Sequence, residues 1–284
     1  MEIRSPLRPS KVKTDKYRFW LLGDERARQS KTPAMFNQVI KTLGLNASYD
    51  LKIVQPDELG QTLRTLKNLN ISGAHITIPY KEKVIPFLDV LSEGAQIVGS
   101  INAIARDGES LKGYNTNAIG FIDALKEIGF DPADKSALVV GSGGAARAVV
   151  FILKWHRAKS IMIADPDNLK TQEISKHIGG VSVSLEDLQK NAVHANIVIN
   201  ATPASSADEY PDLEGLVNRA KIEHCELIVD LNVGRIQSVW KDLANDKGIH
   251  FMDGKTSLAN QAKRTFAIWT GHQVDPKLFL DVIT

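Results

Sequence analysis

Three small residues at fixed spacing are the first sign of chemistry in this chain of 284 residues. Gly141, Gly143 and Ala146 match the G-x-G-x-x-G/A pattern, and they follow an apolar run at 137–140 that is typical of a buried strand. The first glycine permits a tight turn, the second lets a pyrophosphate approach the backbone, and the small third residue lets the next helix pack closely. The pattern predicts a nucleotide site. The alternative is a glycine turn of an α/β domain that binds nothing.

The residues that follow this turn extend the prediction. A helix predicted at 145–155 would direct its first amides, near Gly144 and Ala145, at the phosphates. Asp165 follows a second predicted strand and lies 24 residues after the first glycine, close to where a ribose-binding acid is expected. Its carboxylate would accept hydrogen bonds from the ribose hydroxyls and repel a 2′-phosphate, so we predict NAD as the cofactor, with NADP less favoured. The alternative role for Asp165 is a helix N-cap.

Strands alternate with helices along much of the chain, which predicts an α/β fold with mainly parallel sheets. One apolar strand, predicted at 196–200, ends at Asn200 and is followed by Thr202. Ligands of open α/β sheets bind at the carboxyl ends of strands, so both residues are predicted to contribute to the cofactor site. Thr32 and Pro33 predict the start of a helix, and a further helix is predicted from Lys81 to about residue 91.

Composition limits the classes of function. The formal net charge of +2 gives no support for a nucleic-acid partner or for an acidic one. The single cysteine, Cys225, excludes an internal disulfide and fits a reducing compartment. No stretch looks like a signal peptide or a membrane span, so we expect a cytoplasmic protein, with a loose arm at 1–16. No group of His, Cys, Asp and Glu has metal-ligand spacing, so no metal is predicted.

Several short stretches together carry a resemblance to a known family. They are Ser30–Pro33, Gly73–Lys81, Gly99–Ala103, Gly113–Phe121, Gly141–Ala148, Asn200–Pro203 and Leu258–Ala262. In this order and with these separations, the chain resembles the shikimate/quinate dehydrogenase family from about Tyr17 to its C-terminus.

The resemblance implies a two-domain enzyme. Residues 1–118 would hold a cyclic hydroxy acid such as shikimate, quinate or a relative, with the helices of 255–284 returning to this domain. Residues 119–254 would form the Rossmann-like domain for the nicotinamide cofactor. A hydride would pass across the cleft between the nicotinamide and a ring carbon that bears a hydroxyl or ketone. Both monomers and homodimers fit such families.

The resemblance also assigns roles to residues of this chain. Ser30 and Thr32 fall on the positions that bind the substrate carboxylate, Thr77 and Asn102 on hydrogen-bonding positions, and Gln261 on a substrate-contacting glutamine. Short hydroxyl and amide donors suit a carboxylate and ring hydroxyls. The alternatives are that Ser30 and Thr32 cap the helix and that Gln261 lies on the surface.

Lys81 falls on the catalytic lysine of the family, and the alternative is a solvated lysine in the first turn of its predicted helix. Asn117 takes the place of the aspartate that pairs with this lysine in the family, and it cannot accept a proton. His75 replaces an asparagine, Val233 a tyrosine and Ser257 a methionine. The substrate-facing residues therefore depart from the family pattern at several points.

Two functions remain open. In the first, the chain is a dehydrogenase with altered preference or reduced rate, in which Lys81 alone relays the proton. His75 could then add a hydrogen bond or a proton and make the rate sensitive to pH, or could merely fill the strand end. In the second, the chain is a ligand- or cofactor-binding paralogue without useful turnover. A folate-ring dehydrogenase of similar shape is disfavoured by Ser30, Thr32 and Gln261.

Overall fold

The structure is a computed structural model that describes residues 17–206, 208–209, 215 and 221–283. The arm expected at 1–16 lies outside these residues. Within the described ranges the strands form two six-stranded sheets and a separate two-stranded pair. The predicted α/β fold class is confirmed, since helices alternate with mainly parallel strands in both large sheets.

The first sheet is mixed and has the strand order β2-β1-β3-β5-β6-β4. Its strands are β1 (Tyr17–Gly23), β2 (Ala47–Ile53), β3 (Gly73–Ile76), β4 (Val90–Leu91), β5 (Ala103–Asp107) and β6 (Ser110–Tyr114). β3 runs parallel to β1 and antiparallel to β5. The helices of this part are α1 (Thr32–Thr42), α2 (Leu59–Asn68) and α3 (Glu93–Val98). Because β3 is internal and all four of its residues are buried, it is a rigid base for the polar residues that follow it.

The helix predicted from Lys81 to about residue 91 is wrong. The chain instead makes turns over 81–84, a short 3-10 helix at Ile85–Phe87 and then β4. Pro86 explains the difference, because proline lacks an amide donor and clashes with the preceding turn of an α-helix. The carbonyl of Lys81 accepts a hydrogen bond from Ile101 N at 2.7 Å instead of serving a helix.

The second sheet is entirely parallel, with the order β14-β13-β11-β7-β8-β9. Its strands are β7 (Ser136–Val140), β8 (Ser160–Ala164), β9 (Val181–Ser182), β11 (Ile197–Asn200), β13 (Leu227–Asp230) and β14 (His250–Asp253), while β10 (Ala192–His194) pairs with β12 (Lys221–Glu223). The remaining helices are α4 (Asn117–Glu127), α5 (Gly144–Trp155), α6 (Asn168–His177), α7 (Leu185–Lys190), α8 (Val239–Lys247), α9 (Gly254–Thr270) and α10 (Lys277–Leu280). β7 is buried along its whole length, as its apolar sequence predicts.

The C-terminal helices pack against the first sheet. Phe266 and Trp269 of α9 and Phe279 of α10 share one apolar core with Phe19 of β1. Trp269 Nε1 donates a hydrogen bond to Ile104 O at 2.8 Å, which ties α9 to β5. This packing brings Gln261, near the middle of α9, back to the N-terminal part of the chain. The domain limits at 118 and 254 stay a prediction.

None of the helices in the described ranges is long and apolar enough to span a membrane.

Candidate active site

A cleft with a cavity volume of about 430 Å³ is lined by residues from both large sheets and their connections. It collects every residue for which a substrate-binding or catalytic role was predicted. These are Ser30, Thr32, Thr77, Lys81, Asn102, Asn117 and Gln261. From the second part of the chain, Ala145 at the start of α5 and the loop 231–233 after β13 complete the wall. The structure therefore brings together residues from opposite ends of the sequence.

An amide network fixes the orientation of the polar side chains in this cleft. Asn102 Oδ1 accepts a hydrogen bond from Thr116 N at 2.6 Å, so its Nδ2 must face the other way. That Nδ2 donates to Gln261 Oε1 at 2.7 Å and to Asn117 Oδ1 at 3.1 Å. Since a donor faces both amides, each must present its oxygen to Asn102.

The consequence is a pair of free amide donors in the cleft. Asn117 Nδ2 and Gln261 Nε2 have no hydrogen-bond partner among the residues that the structure describes. Both residues line the cleft, so these NH₂ groups are available to the oxygens of a ligand. The alternative of a surface position for Gln261 is not supported, because the residue is buried.

Ser30 and Thr32 place two hydroxyls at the start of α1. Ser30 Oγ lies 3.1 Å from Thr32 Oγ1 and accepts a hydrogen bond from Thr32 N at 3.2 Å. The Ser30 hydroxyl therefore accepts a hydrogen bond from the first amide of α1, which agrees in part with the alternative that Ser30 caps the helix. The N-cap position belongs to Lys31, not Thr32, and the Lys31 side chain makes no capping hydrogen bond, so among the described residues the only side-chain hydrogen bond to the start of α1 comes from Ser30.

Lys81 lies where the two parts of the chain meet. A Cβ on Gly144, the first residue of α5, would be 3.4 Å from Lys81 Cδ. The lysine makes no ion pair with the described residues. Burial of the ammonium group lowers the pKa of Lys81 from 10.5 to about 8, although the residue keeps partial exposure to the cleft. A lysine with this pKa is able to exchange a proton near neutral pH.

The charged side chains that line the cleft are all positive. Among the described residues, its lining includes the cations Arg26, Lys31, Lys81 and Arg235 and no carboxylate. Arg26 pairs with Asp24 at 2.6 Å, and Arg235 pairs with Glu209. The two lysines are left for a ligand, so the site favours an anion.

Sequence reasoning missed Arg26, Lys31 and Arg235 as lining residues. Lys31 could have been predicted as a lining residue, because it stands between Ser30 and Thr32 in the sequence. Arg26 belongs to a charged loop, and Arg235 lies in a different sheet connection, so no sequence spacing links them.

His75, in β3, lines the cleft but is buried. Its Nδ1 lies 2.7 Å from Tyr49 Oη, and its Nε2 has no hydrogen-bond partner in the described structure. Burial, followed by the charge of Lys81, lowers the pKa of His75 to about 3. A buried ring beside an ammonium group resists protonation, so the imidazole is neutral at physiological pH, which gives no support to the expectation that it makes the rate pH-sensitive.

The glycine turn leaves open space beside its backbone at one position and excludes a side chain at another. Gly141 has φ +122°, and a Cβ there would lie 2.8 Å from Ala201 C, so only glycine fits. At Gly143 a Cβ would meet no protein atom within 4 Å, so the fold itself does not require a glycine there. α5 begins at Gly144 without a side-chain cap, and Ala146 is fully buried beneath it. Open amides and an open face above Gly143 fit a pyrophosphate.

Asn200 and Thr202 use their side chains inside the loop that follows β11. Asn200 is fully buried, donates to Asp230 Oδ1 at 2.9 Å and Ala204 O at 2.8 Å, and accepts from Thr202 Oγ1 at 2.7 Å. Asp230 also accepts a bond from Ser238 Oγ at 2.8 Å. The two predicted residues therefore position the loop against Gly141, and their side-chain atoms are already engaged.

Asp165 follows β8, as predicted, and its Oδ1 accepts a hydrogen bond from Asp167 N at 2.8 Å. The N-cap of α6 is Asp167, whose side chain accepts from Lys170 N, so Asp165 is not needed as a cap. Lys170 Nζ pairs with Asp167 at 2.9 Å. The nearest cation is thus occupied, and the Asp165 carboxylate retains one oxygen for a ligand.

A parallel sheet with a glycine turn at its carboxyl edge, facing a cleft of hydroxyls, amides and one low-pKa lysine, defines a two-domain α/β oxidoreductase of the dinucleotide-binding class. Family models agree with this class: one described as "Shikimate dehydrogenase substrate binding domain" matches residues 22–104, and one described as "Shikimate / quinate 5-dehydrogenase" matches residues 123–250. The chain belongs to the shikimate dehydrogenase family, whose members are NAD(P)-dependent oxidoreductases, and the resemblance found in the sequence is confirmed.

Individual relatives give the same result. The chain is 34% identical over 252 residues to a shikimate dehydrogenase (NADP(+)) of Desulforamulus reducens, covering 85% of this chain and 86% of the relative. It is 31% identical over 265 residues to one from Caldanaerobacter subterraneus subsp. tengcongensis, covering 90% and 92%.

A solved structure shares the fold of most of the chain. Shikimate 5-dehydrogenase from Thermus thermophilus, crystallised with NADP(H) and shikimate, superposes with a TM-score of 0.82 at 29% identity, covering 94% of this chain and 98% of that one. These similarities support a pyridine nucleotide as the cofactor. They do not support the preference for NAD, because the relatives are named for NADP(+).

Proposed function

We propose that the protein catalyses NAD(P)-dependent hydride transfer to or from shikimate, quinate or a closely related cyclic hydroxy acid. One observation carries the proposal: Lys81, with its pKa lowered to about 8, lines a cleft that otherwise presents hydroxyl, amide, cationic and apolar groups. A ligand with a carboxylate and several oxygens suits such a cleft. The names of the relatives, which act on shikimate, support the same substrate class.

The roles of the residues follow from their positions. Ser30, Thr32 and the nearby Lys31 bind the carboxylate, and Thr77 adds a hydroxyl at the end of β3. Asn117 Nδ2 and Gln261 Nε2, held in place by Asn102, orient the ring oxygens.

The proton moves through Lys81. During oxidation its neutral amine takes the proton of the reacting hydroxyl, and during reduction its ammonium form returns that proton to the new alkoxide. The pyridine nucleotide, when bound, accepts or supplies the hydride. Gly141 and Gly143, the first amides of α5 and the Asp165 carboxylate would hold it, with Ala145 between the cofactor and substrate sides of the cleft.

The cofactor that we propose is NAD, in contrast to the NADP(+) of the named relatives. The support is local. Asp165 occupies the ribose position, and the residues after it, Pro166 and Asp167, include no cation to bind a 2′-phosphate. Initial rates with NAD and NADP on the same substrate test this directly, and a higher kcat/KM with NADP contradicts it.

Turnover with a panel of cyclohexene and cyclohexane carboxylic acids tests the reaction. We expect formation of the reduced cofactor with shikimate or quinate, and its loss in a Lys81→Met variant that remains folded. The alternative, a ligand-binding paralogue, is favoured by the absence of a carboxylate partner at Asn117. Tight binding by calorimetry without any change in cofactor absorbance would support that alternative and reject the dehydrogenase.

We further propose a cytoplasmic enzyme that works as a monomer or a homodimer. The partly buried Cys225, whose pKa is raised to about 11 by burial, is an unreactive thiol that suits a reducing compartment. Light scattering after gel filtration distinguishes the monomer from the dimer.

A further inference from the structure

Arg147 of α5 is a buried cation that the proposed mechanism does not use. Its side chain is 11% exposed, although it belongs to the helix whose first amides face the proposed cofactor site. Arginine is rarely this buried unless its donors are paired. The partners of Arg147 therefore show which elements it holds together.

One partner belongs to the first-sheet part of the chain. Arg147 Nε donates a hydrogen bond to Val98 O at 2.8 Å. Val98 is the last residue of α3, where a helix leaves carbonyl groups without internal partners. Gly99 ends α3 with φ +64°, and a Cβ there would lie 3.1 Å from Arg147 Nη2. The guanidinium of α5 therefore caps the C-terminus of α3.

The other partner is Glu173 of α6, whose Oε1 accepts a hydrogen bond from Arg147 Nη1 at 3.2 Å. The Glu173 side chain is 55% exposed, and an ion pair with an exposed partner contributes little. Val98 is fully buried, so water cannot replace the bond to its carbonyl. The bond to Val98 is therefore the one that holds α3 and α5 together.

The segment 98–102, which begins at this bond, determines the position of polar groups in the cleft. Ile101 N donates a hydrogen bond to Lys81 O at 2.7 Å, so the backbone of the lysine is attached to the segment. Asn102 orients the two amide donors described above. A shift of the segment would therefore move the proposed proton carrier and the substrate-side amides together.

The same segment packs directly on the start of α5. Ser100 is fully buried, and a Cβ on Gly144 would overlap its Oγ. That Cβ would also lie 3.4 Å from Lys81 Cδ. The spacing between the substrate side of the cleft and the cofactor helix is thus set where 98–102 meets α5, next to the Arg147 bond.

We propose that Arg147 is a positioning residue for hydride transfer: it holds segment 98–102 against α5 and so sets the distance between the bound cyclic acid and the nicotinamide. The inference rests on the proposed function for its reaction. Arg147 is not among the residues that line the cleft, so it acts through the segment and not by contact with a ligand. Transfer between two bound groups depends steeply on their distance and alignment.

Steady-state kinetics test this role. Arg147→Met keeps a long side chain but has no donor, and kcat for shikimate oxidation should fall at least about tenfold, with both KM values within about twofold. The primary deuterium isotope effect on kcat, with shikimate deuterated at the reacting carbon, should rise, because hydride transfer becomes slow relative to product release. Arg147→Lys restores one donor for Val98 O and should recover part of the rate. It is the variant to measure if Arg147→Met does not fold.

Glu173→Gln is the matched control, since it removes the charge of the exposed partner and leaves the bond to Val98 in place. Its kcat should stay within about twofold of the wild-type value. Melting curves establish that each variant is folded at the assay temperature. Unchanged kcat in folded Arg147→Met, or a loss that appears only in KM, would overturn the inference.

Amide hydrogen exchange tests the hold on the segment without any ligand. Exchange of the Ile101 amide, which is bonded to Lys81 O, should be at least about tenfold faster in Arg147→Met and unchanged in Glu173→Gln. Normal exchange and normal kcat in Arg147→Met, in a protein that turns over shikimate, reject the inference and leave the dehydrogenase intact. Faster exchange without turnover in the wild-type protein rejects the dehydrogenase and supports Arg147 as the residue that positions the segment.

Discussion

Asn102 Nδ2 lies 3.1 Å from Asn117 Oδ1, so the residue that replaces the family's aspartate presents its oxygen to another asparagine and keeps its NH₂ group for the cleft. An aspartate at 117 would accept the same hydrogen bond from Asn102 but would add a negative charge beside a ligand that is itself an anion. With asparagine at 117, no carboxylate lines the cleft beside Lys81 among the residues that the structure describes.

The first prediction concerns this substitution. Asn117→Asp should raise the rate of shikimate oxidation about tenfold or more, since a carboxylate near Lys81 can assist proton transfer. It should also raise the pKa of Lys81, because an opposite charge stabilises the ammonium form. In the wild-type protein kcat/KM for oxidation should increase as pH rises through about 8, where Lys81 loses its proton. In Asn117→Asp that increase should occur at higher pH.

Asn117→Ala is the control, since it removes the amide without adding charge. An unchanged or lower oxidation rate in Asn117→Asp, at every pH, would show that this position does not limit turnover.

The second prediction concerns the stability cost of Lys81. Its pKa is about 8 in the folded protein and 10.5 ordinarily. Below pH 8 both states are protonated, and the folded state bears the cost of a partly buried charge. Between about 8 and 10.5 the unfolded state binds more protons, so the free energy of unfolding rises with pH. Lys81→Met should therefore be the more stable protein at pH 7.

Calorimetric melting measures this effect. We expect Tm at pH 7 to rise by about 2–4 °C in Lys81→Met, the change that about 1 kcal/mol gives in a protein of this size. The difference should shrink as pH approaches 10. Lys83→Met, at a neighbouring exposed position, is the matched control. Equal Tm values at pH 7 would mean that burial does not penalise the ammonium group.

The third prediction separates two glycines of the same turn. Gly143→Ala should fold normally, because a Cβ there meets no protein atom within 4 Å, but should bind the cofactor at least about tenfold more weakly, because it occupies the space a pyrophosphate needs. Gly141→Ala should weaken cofactor binding and, unlike Gly143→Ala, should also lower Tm. The reason is that the φ of +122° at Gly141 and its close approach to Ala201 exclude a side chain.

Cofactor titrations followed by fluorescence, together with melting curves, check both variants. Normal cofactor affinity in Gly143→Ala would indicate that the dinucleotide does not use this turn.

The fourth prediction concerns cofactor choice. Asp165→Asn keeps an acceptor for Asp167 N and removes the negative charge. The ratio of kcat/KM for NAD to that for NADP should fall about tenfold, because repulsion of the 2′-phosphate is relieved. Asp167→Asn is the control. It changes the N-cap of α6 and should affect Tm more than cofactor choice. If Asp165→Asn leaves the ratio unchanged, then Asp165 does not face the ribose.

The sequence alone determined the class of this protein. Three features could be predicted from local sequence because they depend on local backbone requirements. They are the glycine spacing before α5, the acid after β8 and the alternation of strands with helices. The same holds for the ordered motifs that identify the family. The apolar pattern after Lys81 favours a helix, but none forms there, because Pro86 lacks an amide donor and clashes with the preceding turn.

Only the tertiary structure decided how the polar residues act. The direction of the Asn117 and Gln261 amides follows from one backbone hydrogen bond to Asn102, and the pKa values of Lys81 and His75 follow from burial. The pairing of His75 with Tyr49 joins two strands that are not neighbours in the sheet, and Gln261 reaches the cleft on a helix from the far end of the chain. Hydrogen bonds and desolvation depend on which groups meet in space, and a linear pattern carries no such information when the partners are distant in sequence.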